Sequence, residues 1–170
     1  MRNLLITGLN GWTGCHMATS VLRDEDVHVV GLGRRPEVET SLRPFADRIR
    51  YYVCDVCQPA NVLVALLEKE RVDGIIHLAG LTVSDDWSAL LHVNVVGTVS
   101  LLQGILTLRE AGWGSPPVLV ISSSAVYGRT TSDDSPISEE CSLLPLTPYG
   151  VSKAAQELVA HRFFTADGLR

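Results

Sequence analysis

Five short apolar runs, helix-length segments between them and a glycine cluster at the end of the first run predict a doubly wound α/β domain. The runs are rich in Val, Ile and Leu throughout and do not alternate with polar residues, which is the pattern of a parallel sheet covered by helices on both faces. Right-handed crossovers then give the strand order 3-2-1-4-5, with a ligand at the switch between strands one and four. Site residues should gather at the C-terminal ends of the strands.

Residues 2–7 form the first run, and apolar positions at helical spacing follow over residues 12–22. Residues 27–32 read as the second strand and 49–54 as the third, followed by a helix over 61–71. Strand four covers 74–79. A longer helix spans about 88–109, closed by Ala111-Gly112, before strand five at 118–122. The last helix runs from about 148 to 164. Residues 129–142, rich in Ser, Asp and Pro, make the one long loop, a candidate lid. There is no internal repeat and no low-complexity tract.

A chain of 170 residues supports one well-cored domain and is short for two, so residues 1–170 are expected to be a single domain. Apolar runs such as 74–79 are far shorter than a bilayer requires, and no membrane partner is expected. The net charge of −5, with no basic stripe, gives no electrostatic footprint for nucleic acid. The N-terminus shows no signal-peptide pattern, which makes the cytoplasm the expected location. Cys15, Cys54, Cys57 and Cys141 are expected to be free thiols. Cys54 and Cys57 have the spacing of half a zinc site or a redox pair. No second pair follows, and they end a strand-like run instead of opening a helix, so no metal site is expected.

Thr7-Gly8-Leu9-Asn10-Gly11-Trp12-Thr13-Gly14 joins the first strand to the first helix. Backbone must approach a pyrophosphate closely there, and the helix N-terminus supplies partial positive charge. The glycine spacing has one residue more than the Gly-x-Gly-x-x-Gly fingerprint. A glycine-rich turn without a ligand is the plain alternative, and the position at the first strand-to-helix junction argues against it. After strand two, Gly33 leaves room and Arg34 and Arg35 stand where an acid would accept from the ribose of NAD, so the expected cofactor is NADP, with NAD as the alternative. Two solvated surface arginines would look the same. Asp55, after strand three, is placed to meet the adenine.

Tyr149 and Lys153 lie four apart at the start of the last helix, on one face. A phenol with a reference pKa near 10 is a poor acid or base at neutral pH, but a nearby ammonium and a cationic ring favour the phenolate. An isolated Tyr/Lys pair is otherwise an ordinary surface feature. Ser122-Ser123-Ser124-Ala125-Val126-Tyr127-Gly128 brings hydroxyls to the end of strand five, and His77-Leu78-Ala79-Gly80 ends strand four in small residues that let a cofactor pass close to the backbone. Asn94, inside the next helix, is either a surface residue or a link in a water chain toward Lys153.

With these residues assembled, the chain resembles the extended short-chain dehydrogenase/reductase family of NAD(P)-dependent nucleotide-sugar epimerases, dehydratases and reductases. The resemblance spans the whole chain, with Thr7 to Gly14, Asp55-Val56, His77 to Gly80, Asn94-Val95-Val96-Gly97-Thr98, Ser122 to Gly128 and Pro148 to Lys153 in family order. It implies a Rossmann-type fold. It also implies a cofactor site at Gly8, Asn10, Gly11, Trp12, Thr13, Gly14, Arg34, Arg35, Asp55, Val56, Leu78, Ala79, Gly80, Ser122, Tyr149 and Lys153. In the family the catalytic hydroxyl stands three residues before the Val of Val-Tyr-Gly, which selects Ser123, with Ser124 second; Tyr149, Lys153 and Asn94 complete the catalytic set.

The resemblance implies a nucleotide-sugar substrate and allows a homodimer. The family's 4,6-dehydratases carry an acidic pair after that hydroxyl, where this chain has Ser124 and Ala125, so dehydration is disfavoured. The stretches at 7–11, 77–82 and 136–140 look most like reductases of GDP-4-keto-6-deoxy-mannose, and a 4-keto-sugar reductase is the expected activity. A 4-epimerase with retained NAD is the alternative, and a non-catalytic NADP-binding sensor the alternative of another class. The family continues into a sixth strand and a smaller C-terminal domain that binds the sugar nucleotide. This chain stops at Gly168-Leu169-Arg170, which leads to the expectation of a fragment or of a protein without its substrate half.

Overall fold

The computed structural model describes residues 1–130 and 136–170, and its five strands form one parallel sheet in the order β3-β2-β1-β4-β5. They are β1 (Arg2–Thr7), β2 (Val27–Gly33), β3 (Ile49–Val53), β4 (Gly74–His77) and β5 (Val118–Val120). The expected order is the observed one. Thr7 pairs with Leu32 on one side and His77 on the other, so three strand ends open together at the switch point.

Alternation along β1 makes the two layers. Leu5 joins a core with Leu63 and Leu67 of α2 (Ala60–Glu70), Leu101 and Ile105 of α4 (Gly97–Glu110) and Phe163 of α5 (Pro148–Thr165). Ile6 joins the opposite core, with Cys15 and Ala18 of α1 (Trp12–Val21), Leu9, Val29 and Leu42. Both side chains are fully buried, and each such burial is worth about 1.5–3 kcal/mol. Central strands buried on both faces therefore read as unbroken apolar runs.

Between β2 and β3 the chain makes no α-helix. It forms a 3-10 segment, Thr40–Arg48, broken at Phe45 and carrying Pro44, which lacks the N–H a regular helix needs. The long helix over Trp87–Glu110 is also uneven: α3 (Trp87–Leu91) passes through a π-helical turn at His92–Val96 before α4 begins. By length and composition alone this run meets the size of a membrane span, unlike the short run at 74–79. Its Leu101, Leu102, Ile105 and Leu108 belong to the sheet's core. α5 begins where expected, because the Thr147 hydroxyl accepts the Gly150 N–H at 3.0 Å and Pro148 takes the first helical position. Of the loop expected over 129–142, a candidate lid, residues 131–135 lie outside the described residues.

Candidate active site

The turn from β1 into α1 is built by three glycines with separate jobs. Gly8 has φ +71°, and a Cβ there would lie 2.9 Å from the Ala79 nitrogen, so the ends of β1 and β4 pack backbone to backbone. A Cβ on Gly14 would collide with the Gly8 carbonyl oxygen and come within 2.6 Å of that of Leu9. Gly11, in contrast, is exposed and meets only the Gly8 carbonyl, at 3.2 Å. The first and third glycines thus lock the turn to sheet and helix, and the middle one leaves open backbone. α1 starts with no side-chain cap and no acidic residue in its first turn, so its free N–H groups and positive dipole end are available to an anion. Gly14→Ala is expected to destabilise the chain by about 1–3 kcal/mol, because carbonyl oxygens cannot rotate away from a new methyl as side chains do. Chemical denaturation measures this, and an unchanged midpoint would mean that the turn shifts without cost.

Thr7, Gly33, Arg34, Asp55, Val56, Ala79 and Gly80 line one cleft over the C-terminal edge of the sheet. The Thr7 hydroxyl accepts the Leu78 and Ala79 N–H groups at 3.1 and 3.0 Å, fixing the backbone that forms the cleft's floor. Trp12 and Thr13 are exposed at the mouth of the turn, with the Trp12 ring 4.4 Å from that of His16. Asn10 is turned inward: its amide nitrogen donates to the Glu37 carbonyl and the Tyr51 hydroxyl, and its oxygen accepts the Glu39 N–H. Its backbone N–H remains for a ligand.

The two arginines divide their work. Arg35 donates to the Asn10 carbonyl and pairs with Glu39 at 2.8 Å, bracing the glycine turn, whereas Arg34 lines the cleft beside Asp55. Gly33 also has a different role from the expected one. The space left by its missing Cβ is taken by the Tyr51 hydroxyl, not kept for a ligand.

Beyond β5, Ser123 caps a short 3-10 turn at Ser124–Val126, its hydroxyl accepting the Ala125 N–H at 3.2 Å. That leaves the Ser123 hydrogen free to donate. Ser122 Oγ is buried with no hydrogen-bond partner among the described residues, an orphan that a ligand's polar group would satisfy. Ser124 is exposed. On α5, Tyr149 is half-buried and Lys153 is buried, its ammonium donating to the Ile121 carbonyl at 2.5 Å and to the Gln156 amide oxygen. Burial pushes Lys153 down to about 8, with Glu157 pulling the other way, so the amine still carries its charge at neutral pH. An ammonium has three hydrogens, and one remains for a third partner.

The Asn94 amide is engaged with groups of the chain itself. Its oxygen accepts the Leu81 N–H at 2.7 Å, and its nitrogen donates to the Leu81 carbonyl at 2.9 Å and to Ser152 Oγ at 2.8 Å. Ser152 in turn donates to the Tyr149 carbonyl at 2.7 Å. The π turn therefore delivers a fully buried Asn94 that ties the segment after β4 to the first turn of α5, and so positions Tyr149.

Behind Lys153 lies a buried polar chain that sequence reasoning missed. Gln156 donates to Thr98 Oγ at 2.7 Å, Thr98 donates to the Asn94 carbonyl at 2.7 Å, and His77 bridges Thr98 and Thr7 through Nε2 at 3.0 Å and Nδ1 at 2.8 Å. The tautomer follows by counting. Thr7 Oγ already accepts two N–H groups, so its own hydrogen goes to Nδ1, and the imidazole proton sits on Nε2. Burial, and then the Lys153 charge, push His77 down to about 3. The available signal was polar residues at helical spacing among buried ones: Thr98 four after Asn94, and Gln156 three after Lys153. All four cysteines are free; burial, and then Asp55, push the Cys57 thiol up to about 12, so that pair offers no ready thiolate.

Known proteins are similar to this chain over essentially its whole length. GDP-6-deoxy-D-mannose reductase of Pseudomonas aeruginosa is 31% identical over 173 residues, which cover 99% of this chain and 49% of that protein. dTDP-glucose 4,6-dehydratase of Mycolicibacterium smegmatis is 30% identical over 175 residues, covering 98% and 50%. The structure of UDP-glucose 4-epimerase from Brucella ovis in complex with NAD matches with a TM-score of 0.84 at 26% identity, over 100% of this chain and 50% of that one. The chain spans about half the length of these relatives. The family model described as "NAD dependent epimerase/dehydratase family" matches residues 4–170.

Proposed function

The chain belongs to the NAD dependent epimerase/dehydratase family, and on that premise we propose that it carries the cofactor site and catalytic residues of an NADP-dependent reductase of a nucleotide-linked 4-keto sugar. The observation that carries the reading is convergence at one sheet edge: an open glycine turn, a cleft crossing β1 to β4, an orphan Ser122 hydroxyl, and Ser123 and Lys153 at the end of β5. Those features fit a dinucleotide. Gly8, Asn10, Gly11, Trp12, Thr13 and Gly14 would hold its pyrophosphate, Arg34 with Arg35 behind it a 2'-phosphate, and Asp55 and Val56 the adenine. Leu78, Ala79, Gly80, Ser122, Tyr149 and Lys153 would hold the nicotinamide end.

When bound, the cofactor supplies hydride to a sugar carbonyl carbon. Tyr149 gives the proton that the carbonyl oxygen takes up, and Ser123 holds that oxygen with the hydrogen its cap leaves free. Lys153 stands one turn behind the tyrosine as the fixed positive charge. Asn94 keeps the tyrosine's helical turn in place. No acidic pair follows Ser123, which leaves an elimination without its acid and base. The 31% identity to GDP-6-deoxy-D-mannose reductase supports GDP-4-keto-6-deoxy-mannose as the first substrate to try.

A second reading, a 4-epimerase with retained NAD, is favoured by one observation: Arg35 is engaged with Glu39, so the 2'-phosphate would have a single facing arginine. Calorimetric titration of NADP against NAD separates the two. NADP is expected to bind at least about 10-fold tighter, since one charge-assisted hydrogen bond contributes about 1.5–3 kcal/mol, and Arg34→Ala should erase the preference. A preference for NAD, or NAD retained through purification, would put the epimerase first. A redox sensor of the same fold would bind NADP but show no consumption of reduced cofactor with any nucleotide-linked keto sugar.

A further inference from the structure

We infer that Gln156 is a positioning residue for Lys153, holding the amine from behind and tying it through Thr98 and His77 to Thr7 at the root of the glycine turn. The inference rests on the reading of Lys153 as an active-site group. Gln156 is 1% exposed, and a carboxamide so buried must satisfy both of its ends. Its orientation is set by the neighbours. Thr98 spends its only hydrogen on the Asn94 carbonyl, so toward Gln156 it can only accept, and the Gln156 nitrogen must face it. The Gln156 oxygen is thereby left for Lys153, whose amine can only donate.

Every link of the chain has a single allowed direction. The Thr7 hydrogen goes to His77 Nδ1, the His77 Nε2 hydrogen to Thr98, and the Gln156 amide hydrogen to Thr98. A long, flexible lysine side chain is thus pinned at its nitrogen by the Ile121 carbonyl and the Gln156 oxygen, and one N–H is kept for a ligand. Among the described residues, Glu157 from α5 acts on this amine, His77 from β4 feels its charge, and Tyr149 stands one turn back on the same helix. The π turn and the 3-10 turn bring Asn94 and Ser123, which are uncharged.

The chain has two lysines, which makes the test clean: amines are labelled with acetic anhydride across a pH series and read peptide by peptide, with exposed Lys69 as internal reference. Lys153 of the unaltered chain should titrate near 8. Gln156→Leu removes an acceptor from the charged form and should lower that midpoint by about one pH unit, whereas Gln156→Glu sets a carboxylate at the same place and should raise it by about as much. Opposite shifts support positioning. A helix merely loosened by either substitution would let water reach the amine and raise both midpoints together; that result, or no shift in either variant, overturns the inference. The titration needs neither cofactor nor substrate. The opposite shifts together with a fully active Tyr149→Phe enzyme would leave the positioning intact and sink the catalytic reading instead.

Discussion

Tyr149→Phe is expected to lower turnover of a nucleotide-linked 4-keto sugar by about 100- to 10,000-fold, the range for losing one well-placed proton-transferring side chain. The effect should fall chiefly on kcat. The helical turn that carries Tyr149 is held by groups other than its hydroxyl: Thr147 caps Gly150, Ser152 bonds the Tyr149 carbonyl, and Asn94 bonds Ser152. Phenylalanine keeps each of those contacts and nearly the same ring volume, so the unfolding midpoint should stay at the unaltered value, and the affinity for cofactor should fall by far less than turnover, about 10-fold at most for one hydrogen bond among the many the cofactor makes. Consumption of reduced cofactor in the enzyme that carries this chain measures the first quantity, and titration of the cofactor measures the second. Turnover within a few-fold of the unaltered enzyme would remove Tyr149 from the chemistry. A fall in cofactor affinity as large as the fall in turnover would make its hydroxyl a cofactor contact only and not a proton donor.

The outline of the site was readable because its main parts are local patterns. Gly8, Gly11 and Gly14 fall within one turn, Tyr149 and Lys153 within one helical turn, and each strand is a short contiguous run, with two-sided burial of the central ones leaving its mark in unbroken apolar residues. What escaped depends on partners distant along the chain. Asn10 looked like a phosphate ligand because nothing near it reveals that Tyr51, 41 residues on, takes its amide. Gln156 and Thr98 are 58 residues apart, and each alone reads as a polar residue on a helix. The π turn at His92–Val96 is of the same kind: an apolar helix has no local mark for a widened turn, which here accompanies the bonds Asn94 makes to Leu81 and Ser152. Arg35 is the instructive case, since Glu39 stood four residues away and already offered the partner that engages it.

His77 should make this fold sensitive to acid. The imidazole is enclosed between Thr7 and Thr98, and with both Thr7 lone pairs taken by backbone N–H groups, a proton on Nδ1 would face an oxygen that cannot accept it. Burial first, and then the charge on Lys153, hold the folded histidine near 3, while the unfolded chain protonates near 6.5. The unfolded state therefore binds more protons between those values. Stability tied to His77 is complete above about 6.5 and falls as pH drops from there toward 3, by up to about 5 kcal/mol, because each pKa unit is worth about 1.4 kcal/mol. Acid acts on other groups of the chain as well, so the quantity to measure is a difference. Denaturation of the unaltered chain and of His77→Asn should show the variant weaker at pH 7 and the gap closing, or reversing, by pH 4. Parallel pH profiles would mean that the buried site opens and accepts the proton, and nitrogen NMR of the imidazole would then show it titrating well above 3. Without that opening, the same spectrum holds the Nε2–H tautomer throughout, as the fixed donor and acceptor roles of Thr7 and Thr98 require.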